Sequence, residues 1–547
     1  MLPRLLFTPL AFAATARSLG VAPWHEAAGT RRSAQRTDLI IIGGGTGGCA
    51  AALAACERGL SVVLTEETAW IGGQLTAQAV PPDENAWIES IGGTATYRAL
   101  RAAVRDHYRN DPALRPAARA NPRLNPGNGW VSRLCAEPRV WHDALRLALA
   151  PHVAAGRLTI RTHTRAVAAD VQGDVVRAVH VRHADGRDTV FEAPFVVDAT
   201  ELGELLPLCN VEHVTGAESQ AMTGEPGAPS EPQPDNQQSF TVVFGMEHRA
   251  GEEHTIDRPA TYATWRDARL LQHGTRWRQL SFDEPANARI GFDPIARTGY
   301  WSYRRVIDHT LFAPGTHASD VTLVNWWQND YSGGPLVGGD AATHLAAARE
   351  LSRSLLYWLQ TEMPRPDGGI GYPGLRLRPD VVGTTDGLAM TPYIRESRRI
   401  VARTTVREQD VLKALLPPDT VTTAFTDSVG IGHYALDLHR TTRGDEGAYG
   451  ETVPFQIPLG ALIPVRVRNL LPACKNFGVT HRTNGCYRLH PIEWNVGEAV
   501  GHLVAEALAT QRPPSAIAER AERTRDLQRT LERAGVRLAW PVPLPTA

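Results

Sequence analysis

The sequence contains little lysine and no excess of either charge. Among its 57 lysine and arginine residues only Lys413 and Lys475 are lysines, and 58 acidic residues leave a net charge of −1. A chain without a basic run has no electrostatic footprint for nucleic acid. Two lysines also argue against Schiff-base chemistry, although a GC-rich genome explains the same bias. We therefore predict no nucleic-acid partner.

Paired cysteines and long apolar runs are missing as well. None of the six cysteines forms a CxxC pair, which excludes a redox disulfide of the thioredoxin-reductase kind and any zinc or iron–sulfur pattern. No run of 18 or more apolar residues occurs. We predict free, buried thiols, no metal site and no membrane span. The sequence leaves a homo-oligomer open.

The first 36 residues support two interpretations. An apolar stretch from Leu5 to Ala16 follows one basic residue and ends in Ala-Thr-Ala, as in a short signal peptide. The pair Arg31-Arg32 comes after this stretch, whereas a twin-arginine signal needs the pair before it. The other interpretation is a disordered extension. We favour a cytoplasmic protein and leave export open.

A glycine-rich turn follows the first predicted strand. Asp38–Ile42 is short and apolar, an alanine-rich helix runs to about Arg58, and Ser61–Thr65 is a second buried strand. The turn between them fits GxGxxG, in which the glycines allow a tight turn, a close approach to a pyrophosphate and close packing of helix on strand. Glu66 ends the second strand, where a carboxylate accepts ribose hydroxyls and repels a 2′-phosphate. The predicted contacts of an ADP moiety are Gly43, Gly45, Thr46, Gly47, Gly48, Glu66 and Glu67.

Three further segments favour FAD over NAD. The pair Gly72-Gly73 with Gln74 follows the acidic strand closely, as in flavoproteins that bring the chain over the pyrophosphate. Val196–Thr200 resembles a second flavoprotein strand with Glu201 in place of the usual glycine, which predicts contacts from Ala199 and Thr200. Backbone atoms around Ala166 are expected to meet adenine.

The block Asn476–Gly501 predicts a last helix that faces the flavin. Pro491 suits the first helical turn, and Gly497 with Gly501 allows another backbone to come close. A helix N-terminus directed at the flavin stabilises its anionic reduced form. The expected flavin-side residues are Asn476, Glu493, Asn495 and Gly497.

The chain resembles the FAD-dependent oxidoreductases often labelled xanthan lyase-like. The matching stretches are Gly43–Gly48, Gly72–Val80, Thr215–Glu225, Pro392–Ile400, Pro454–Pro464 and Asn476–Gly501. The resemblance implies a glutathione-reductase-type FAD fold and a redox reaction. It gives the lyase label no support, because eliminating a uronic acid needs no flavin.

We expect an α/β protein with a three-layer FAD-binding domain and an inserted mixed α/β substrate domain. A length of 547 residues exceeds what one core supports. Thr215–Gln238 is rich in Pro, Gly, Glu and Gln and is predicted to be a long loop at a domain boundary. The predicted division is an extension over residues 1–36, FAD-binding parts over 37–215 and 456–510, the insert over 216–455, and a tail over 511–547.

Four residues are candidates for the chemistry. His481 and His490 lie in the flavin-side block and can act as a base or satisfy a backbone carbonyl. Arg488 can bind a carboxylate or stabilise reduced flavin, and its alternative is a salt bridge to Glu493. Arg395 can clamp an anionic substrate or belong to an interdomain network of arginine and glutamate.

The expected reaction is dehydrogenation of a small organic substrate by hydride transfer to flavin N5, with electrons passed to oxygen or another acceptor. One alternative is an FAD monooxygenase fed by NAD(P)H. Another is a flavin-containing lyase or isomerase without net redox change. A dedicated NAD(P)H domain is not predicted, because Gly369–Gly374 fits the glycine pattern but follows Pro-Arg-Pro-Asp rather than a strand. The density of polar residues beside the flavin argues against a flavoprotein without turnover.

Overall fold

The computed structural model describes residues 34–272 and 274–546, so the predicted signal segment lies outside the described residues. Within these residues, the helices of five or more residues are α1 (Thr46–Glu57), α2 (Ala95–Arg109), α3 (Pro138–Ala154), α4 (Tyr262–Asp267), α5 (Pro285–Ile290), α6 (Ala341–Thr361), α7 (His481–Tyr487), α8 (His490–Thr510), α9 (Pro514–Ala518) and α10 (Ala521–Arg533). The strands of three or more residues are β1 (Leu39–Ile42), β2 (Val62–Thr65), β3 (Leu158–Arg161), β4 (Thr164–Gln172), β5 (Val175–His183), β6 (Asp188–Glu192), β7 (Phe195–Asp198), β8 (Phe244–His248), β9 (Arg269–Gln272), β10 (Thr275–Arg278), β11 (Arg305–Ile307), β12 (Val321–Val324), β13 (Leu375–Leu377), β14 (Ser428–Gly432), β15 (Leu436–Leu438), β16 (Ala448–Gly450), β17 (Phe455–Pro458) and β18 (Leu470–Pro472).

A five-stranded parallel sheet, in the order β18-β7-β1-β2-β3, forms the centre of the first core. Its strands are apolar at nearly every position because both faces are buried. Along β1, Leu39 and Ile41 pack with α1 and α8, whereas Ile40 and Ile42 pack with the opposite layer. Alternate side chains of β1 thus face the two layers on either side of the sheet. The result is a three-layer α/β unit, which confirms the expected fold class.

The opposite layer is an antiparallel meander of β4, β5 and β6. The sequence pattern of residues 157–170 predicts one strand, but the chain divides there into β3 in the parallel sheet and β4 in the meander. The reason is a turn at His163, whose φ of 52° lies in the left-handed region that a strand does not use. The chain therefore changes sheet within two residues.

A second core fills the region after the loop. An antiparallel sheet in the order β11-β12-β8-β13 packs with α6. The buried cluster between them is rich in aromatic side chains and consists of residues between 240 and 388. Buried residues such as Val406, Phe455 and Ile463 pack in the first core instead. The boundaries of the insert, 216–455, stay a prediction. Across the described part of the chain, no helix combines the length and the apolar character needed to cross a bilayer.

Candidate functional site

A cleft opens at the carboxyl ends of β1, β2 and β7, where open α/β sheets bind ligands. It contains about 850 Å³ of empty volume, part of it open to solvent. Eight of the predicted cofactor residues line it, namely Gly43, Gly45, Glu66, Glu67, Gly73, Ala166, Ala199 and Thr200. The cleft thus runs from the end of the acidic strand across the glycine turn to the second glycine pair.

The glycines of the turn have different physical roles. Gly43 has a φ of 96°, and a Cβ there would overlap the backbone of Ala199. A Cβ on Gly48 would overlap the carbonyl of Gly43, so this glycine lets helix pack on strand rather than lining the cleft. Gly45 faces the cleft itself. This division matches the roles that the motif predicts.

Glu66 lies in the cleft beside the glycine turn. Its carboxylate accepts hydrogen bonds from the N–H of Gly44 at 3.0 Å and from the N–H of Thr68 at 2.8 Å. Burial raises the pKa of Glu66 to about 7, against these hydrogen bonds. Two donors from ribose hydroxyls would favour the ionised form, so the position suits a nucleoside end.

The second glycine pair is held against the first. The N–H of Gly72 donates to the carbonyl of Gly44 at 2.6 Å, and the Thr46 hydroxyl donates to the carbonyl of Gly72 at 2.9 Å. Thr46 and Gly72 therefore shape the cleft wall through hydrogen bonds. Gly73 continues the wall, and the amide of the next residue, Gln74, donates to the carboxylate of Glu493 and to the carbonyl of Arg488 at 3.0 Å.

Helix α8 packs closely against α1 through glycine residues. A Cβ on Gly497 would overlap the carbonyl of Gly47, and a Cβ on Gly501 would lie 2.6 Å from the carbonyl of Ala51. The N–H of Gly47, in the first turn of α1, donates to the Glu493 carboxylate at 3.1 Å. The last helix of the chain is therefore fixed directly against the turn that faces the cleft.

Two predicted cofactor residues use their side chains elsewhere. The Asn476 amide donates to the carbonyl of Asp198 at 3.0 Å, and its oxygen accepts from the N–H of Cys474. The Asn495 amide donates to the carbonyl of Val429 in β14 at 3.1 Å. Both carboxamides satisfy backbone groups that a loop would leave unpaired. The contacts of Asn476 and Asn495 with the cofactor stay a prediction.

His481 belongs to a buried ion network rather than to the cleft lining. Its Nδ1 lies 2.9 and 3.0 Å from the two oxygens of Glu396, which also pairs with Arg399 at 2.6 Å. Burial opposes the charge on Glu396, but His481 and Arg399 outweigh it and lower the pKa of Glu396 to about 2. A second pair joins Arg399 to Glu218 at 2.9 Å. The network fixes the start of the loop at 215–238 against α7.

His490 begins α8 and is fully buried. Its Nδ1 accepts the N–H of Asp83 at 3.1 Å, which leaves the ring proton on Nε2, and that Nε2 has no hydrogen-bond partner. Burial and the charge of Arg304 lower the pKa of His490 well below its ordinary value. A neutral ring with a free N–H is a hydrogen-bond donor. The base role expected of His490 stays a prediction, and the geometry favours a donor role.

Arg488 pairs with other residues than the sequence predicts. Its guanidinium donates to the Tyr393 hydroxyl at 2.6 Å and lies 3.6 Å from the carboxylate of Asp437. The predicted alternative, a salt bridge to Glu493, is wrong, because Glu493 lies against Lys475 at 3.4 Å. The Nε of Arg488 is buried without a partner.

Arg395 holds a buried carboxylate that the sequence did not single out as catalytic. It lies 2.9 Å from Asp330, whose other oxygen is 2.6 Å from the Nδ1 of His439. Arg395 and His439 outweigh burial and keep the pKa of Asp330 far below its usual range. The Nε2 of His439 lies 3.4 Å from Asp437. Sequence reasoning missed His439 because a lone histidine in a loop carries no pattern.

These residues adjoin the cleft through one segment. Thr391 lines the cleft, the N–H of Ile394 donates to Gln78 at 3.4 Å, and Tyr393 lies between them with its ring against the guanidiniums of Arg395 and Arg488. The Nε2 of Gln78 is a buried donor without a partner that lines the cleft. Such donors fit the oxygen and nitrogen acceptors of an isoalloxazine ring, so the residues present suit FAD.

A parallel sheet with a glycine turn, an acidic second strand and a last helix packed on the first defines a dinucleotide-binding flavoprotein fold. The sequence matches the FAD dependent oxidoreductase family over residues 38–531, and the chain belongs to that family. It is therefore an enzyme that uses FAD. The xanthan lyase-like subgroup stays a prediction. A search of curated proteins finds no match.

Solved structures of flavoenzymes are similar to this chain only distantly. A geranylgeranyl bacteriochlorophyll reductase-like protein from Thermoplasma acidophilum is 10% identical, with 92% of this chain and 85% of that chain covered and a TM-score of 0.30. The anhydrotetracycline hydroxylase OxyS from Streptomyces rimosus is 12% identical, with 92% and 68% covered and a TM-score of 0.33. A myxobacterial chondrochloren halogenase is 17% identical, with 40% of this chain covered and a TM-score of 0.22, and the match spans 45% of the halogenase. TM-scores this low do not indicate which reaction the enzyme catalyses.

Proposed function

We propose that the enzyme dehydrogenates a small organic substrate and passes the electrons to oxygen or another acceptor. Bound FAD supplies the hydride acceptor, flavin N5. The observation that carries the proposal is the polar cluster of Asp330, Tyr393, Arg395, His439 and Arg488, which begins where the cleft ends. A dehydrogenase needs a proton acceptor and a substrate clamp in that position.

His439 is the proton acceptor in this proposal. Its side chain is 27% exposed, so it can meet a substrate, and Asp330 orients the ring through Nδ1. A carboxylate in that position stabilises the imidazolium that forms when the substrate hydroxyl or amine loses its proton. Arg395 and Arg488 then hold the substrate or a developing oxyanion.

His490 contributes a donor instead of a base. Its Nε2 is buried without a hydrogen-bond partner, and so is the Nε of Arg488. Donors held in a water-poor site stabilise negative charge better than water does, since they need no reorganisation. His481, bound to Glu396, keeps a positioning role.

The test is anaerobic reduction of the purified holoenzyme with a panel of sugars, amines and alcohols. Loss of flavin absorbance near about 450 nm with one substrate and no reduced nicotinamide supports the proposal. Bleaching by NADPH alone would instead identify the monooxygenase. Product formation without bleaching or oxygen use would identify the lyase or isomerase.

A variant pair tests the role of His439. We expect His439→Asn to slow flavin reduction by about 10²–10⁴-fold, the usual size of a general-base contribution. His254→Asn is the matched control, because His254 has the same 27% exposure and its ring lies 2.6 Å from Glu252 rather than beside Asp330. Equal rates for the two variants would remove His439 from the mechanism.

A further inference from the structure

A buried ammonium group lies between two carboxylates at the glycine turn. Lys475 follows β18 and has no exposed side-chain surface. Its Nζ contacts a carboxylate oxygen of Glu201 and lies 3.4 Å from the carboxylate of Glu493. Oxygens of both carboxylates and the Sγ of Cys474 lie within 4.8 Å of one another. Two negative groups therefore share one cation.

The carboxylate of Glu201 lies between the two glycine turns. Its Oε1 would be 3.2 Å from a Cβ on Gly45 and 2.6 Å from a Cβ on Gly73. The same oxygen is buried without a hydrogen-bond partner, and Glu201 lines the cleft. Motifs of this kind bring the backbone close to a pyrophosphate at these glycines. The carboxylate thus lies on the path that the diphosphate needs.

Glu493 binds a backbone N–H group of the glycine turn. Its Oε1 accepts the N–H of Gly47 in the first turn of α1, and its Oε2 accepts from Gln74. The positive end of a helix and its free N–H groups favour an anion at this point. The carboxylate of Glu493 supplies an anion at this point.

We propose that Lys475 is the counter-ion of the FAD diphosphate and that the Glu201 carboxylate beside the two glycine turns weakens binding of the diphosphate. A diphosphate carries two negative charges, and one ammonium does not neutralise it together with two neighbouring carboxylates. The Glu201 carboxylate, between Gly45 and Gly73, therefore repels a diphosphate at this turn. Lys475 determines affinity for the diphosphate, and Glu201 lowers it.

The experiment titrates FAD, inorganic pyrophosphate and adenosine into the full-length apoprotein. For Glu201→Gln we expect FAD and pyrophosphate to bind at least about 10-fold more tightly, because the amide keeps the size of the side chain and loses the charge. For Lys475→Met we expect both ligands to bind at least about 10-fold more weakly. Adenosine has no phosphate and is expected to bind all variants equally.

A second measurement covers variants that cannot be stripped of cofactor. Flavin fluorescence follows FAD release from the holoenzyme, which we expect to be slower in Glu201→Gln and faster in Lys475→Met. Glu498→Gln is the control, since this buried carboxylate of α8 accepts from Thr96 and has no contact with Lys475. Weaker or unchanged binding of FAD and pyrophosphate by Glu201→Gln would overturn the proposal. So would a Lys475→Met enzyme that binds them normally.

Discussion

Gly497→Ala tests the contact between the last helix and the cofactor turn. The new Cβ would overlap the carbonyl oxygen of Gly47 and lie 2.8 Å from its Cα. Because the atoms that the new Cβ would meet belong to the backbone of Gly47, no side chain can rotate away, and the two helices must separate. Overpacking of this kind costs about 1–3 kcal/mol, while replacing glycine by alanine in a helix returns about 1 kcal/mol. We expect a net loss of stability of up to about 2 kcal/mol.

The same substitution is expected to weaken FAD binding. The Gly47 peptide belongs to the first turn of α1, so its displacement moves the N–H groups that face the cleft. A loss of about 1.4 kcal/mol in those contacts raises the dissociation constant tenfold. Urea unfolding of the apoprotein and fluorescence titration with FAD measure the two effects.

Gly245→Ala is the matched control for this prediction. Gly245 is buried in β8, and a Cβ there would meet its nearest neighbours at 3.5 Å or more. We expect an unchanged or slightly higher stability and normal FAD binding, since alanine reduces the freedom of the unfolded chain. If Gly497→Ala behaves like this control, the two helices are not in backbone contact and the reasoning fails.

Three other predictions use single charged groups. Glu66→Arg is expected to lose FAD, with absorbance near about 450 nm missing from the purified protein, because a guanidinium cannot accept ribose hydroxyls. Burial raises the pKa of Glu498 to about 7, so its proton is bound more tightly in the folded than in the unfolded state. Stability should therefore fall by about 3 kcal/mol as pH rises from about 4.5 to above 7, and urea unfolding of Glu498→Gln should show a flatter profile. Arg395→Met leaves the buried Asp330 without its arginine partner and should cost about 3 kcal/mol of unfolding free energy, part of which an added Asp330→Asn restores.

Local signals predicted most of the FAD-binding unit. The strand at Leu39–Ile42, the turn at Gly43–Gly48 and the helix that follows are specified by neighbouring residues, since apolar runs and glycines act over a few positions. Glu66 was found for the same reason, as the first acidic residue after the second strand. The turn at His163 was missed because a histidine with positive φ has no distinct sequence pattern.

The candidate catalytic residues were harder to predict. His481 and His490 lie near one another in sequence, yet one pairs with Glu396 and the other accepts from Asp83. His439, the proposed proton acceptor, belongs to no sequence motif, because its partner Asp330 lies 109 positions away. Proximity in the chain therefore predicted neither of these two partners.

The sequence by itself determined the dinucleotide turn, the acidic residue after the second strand and the small residues of the last helix. These features depend on backbone freedom and side-chain size within one element. Only the tertiary structure decided that Glu493 reaches Gly47 across 446 positions and that Lys475 lies between two carboxylates. Such pairs form because the parallel sheet brings the ends of distant strands to one edge, which is a property of the assembled fold and not of any single segment.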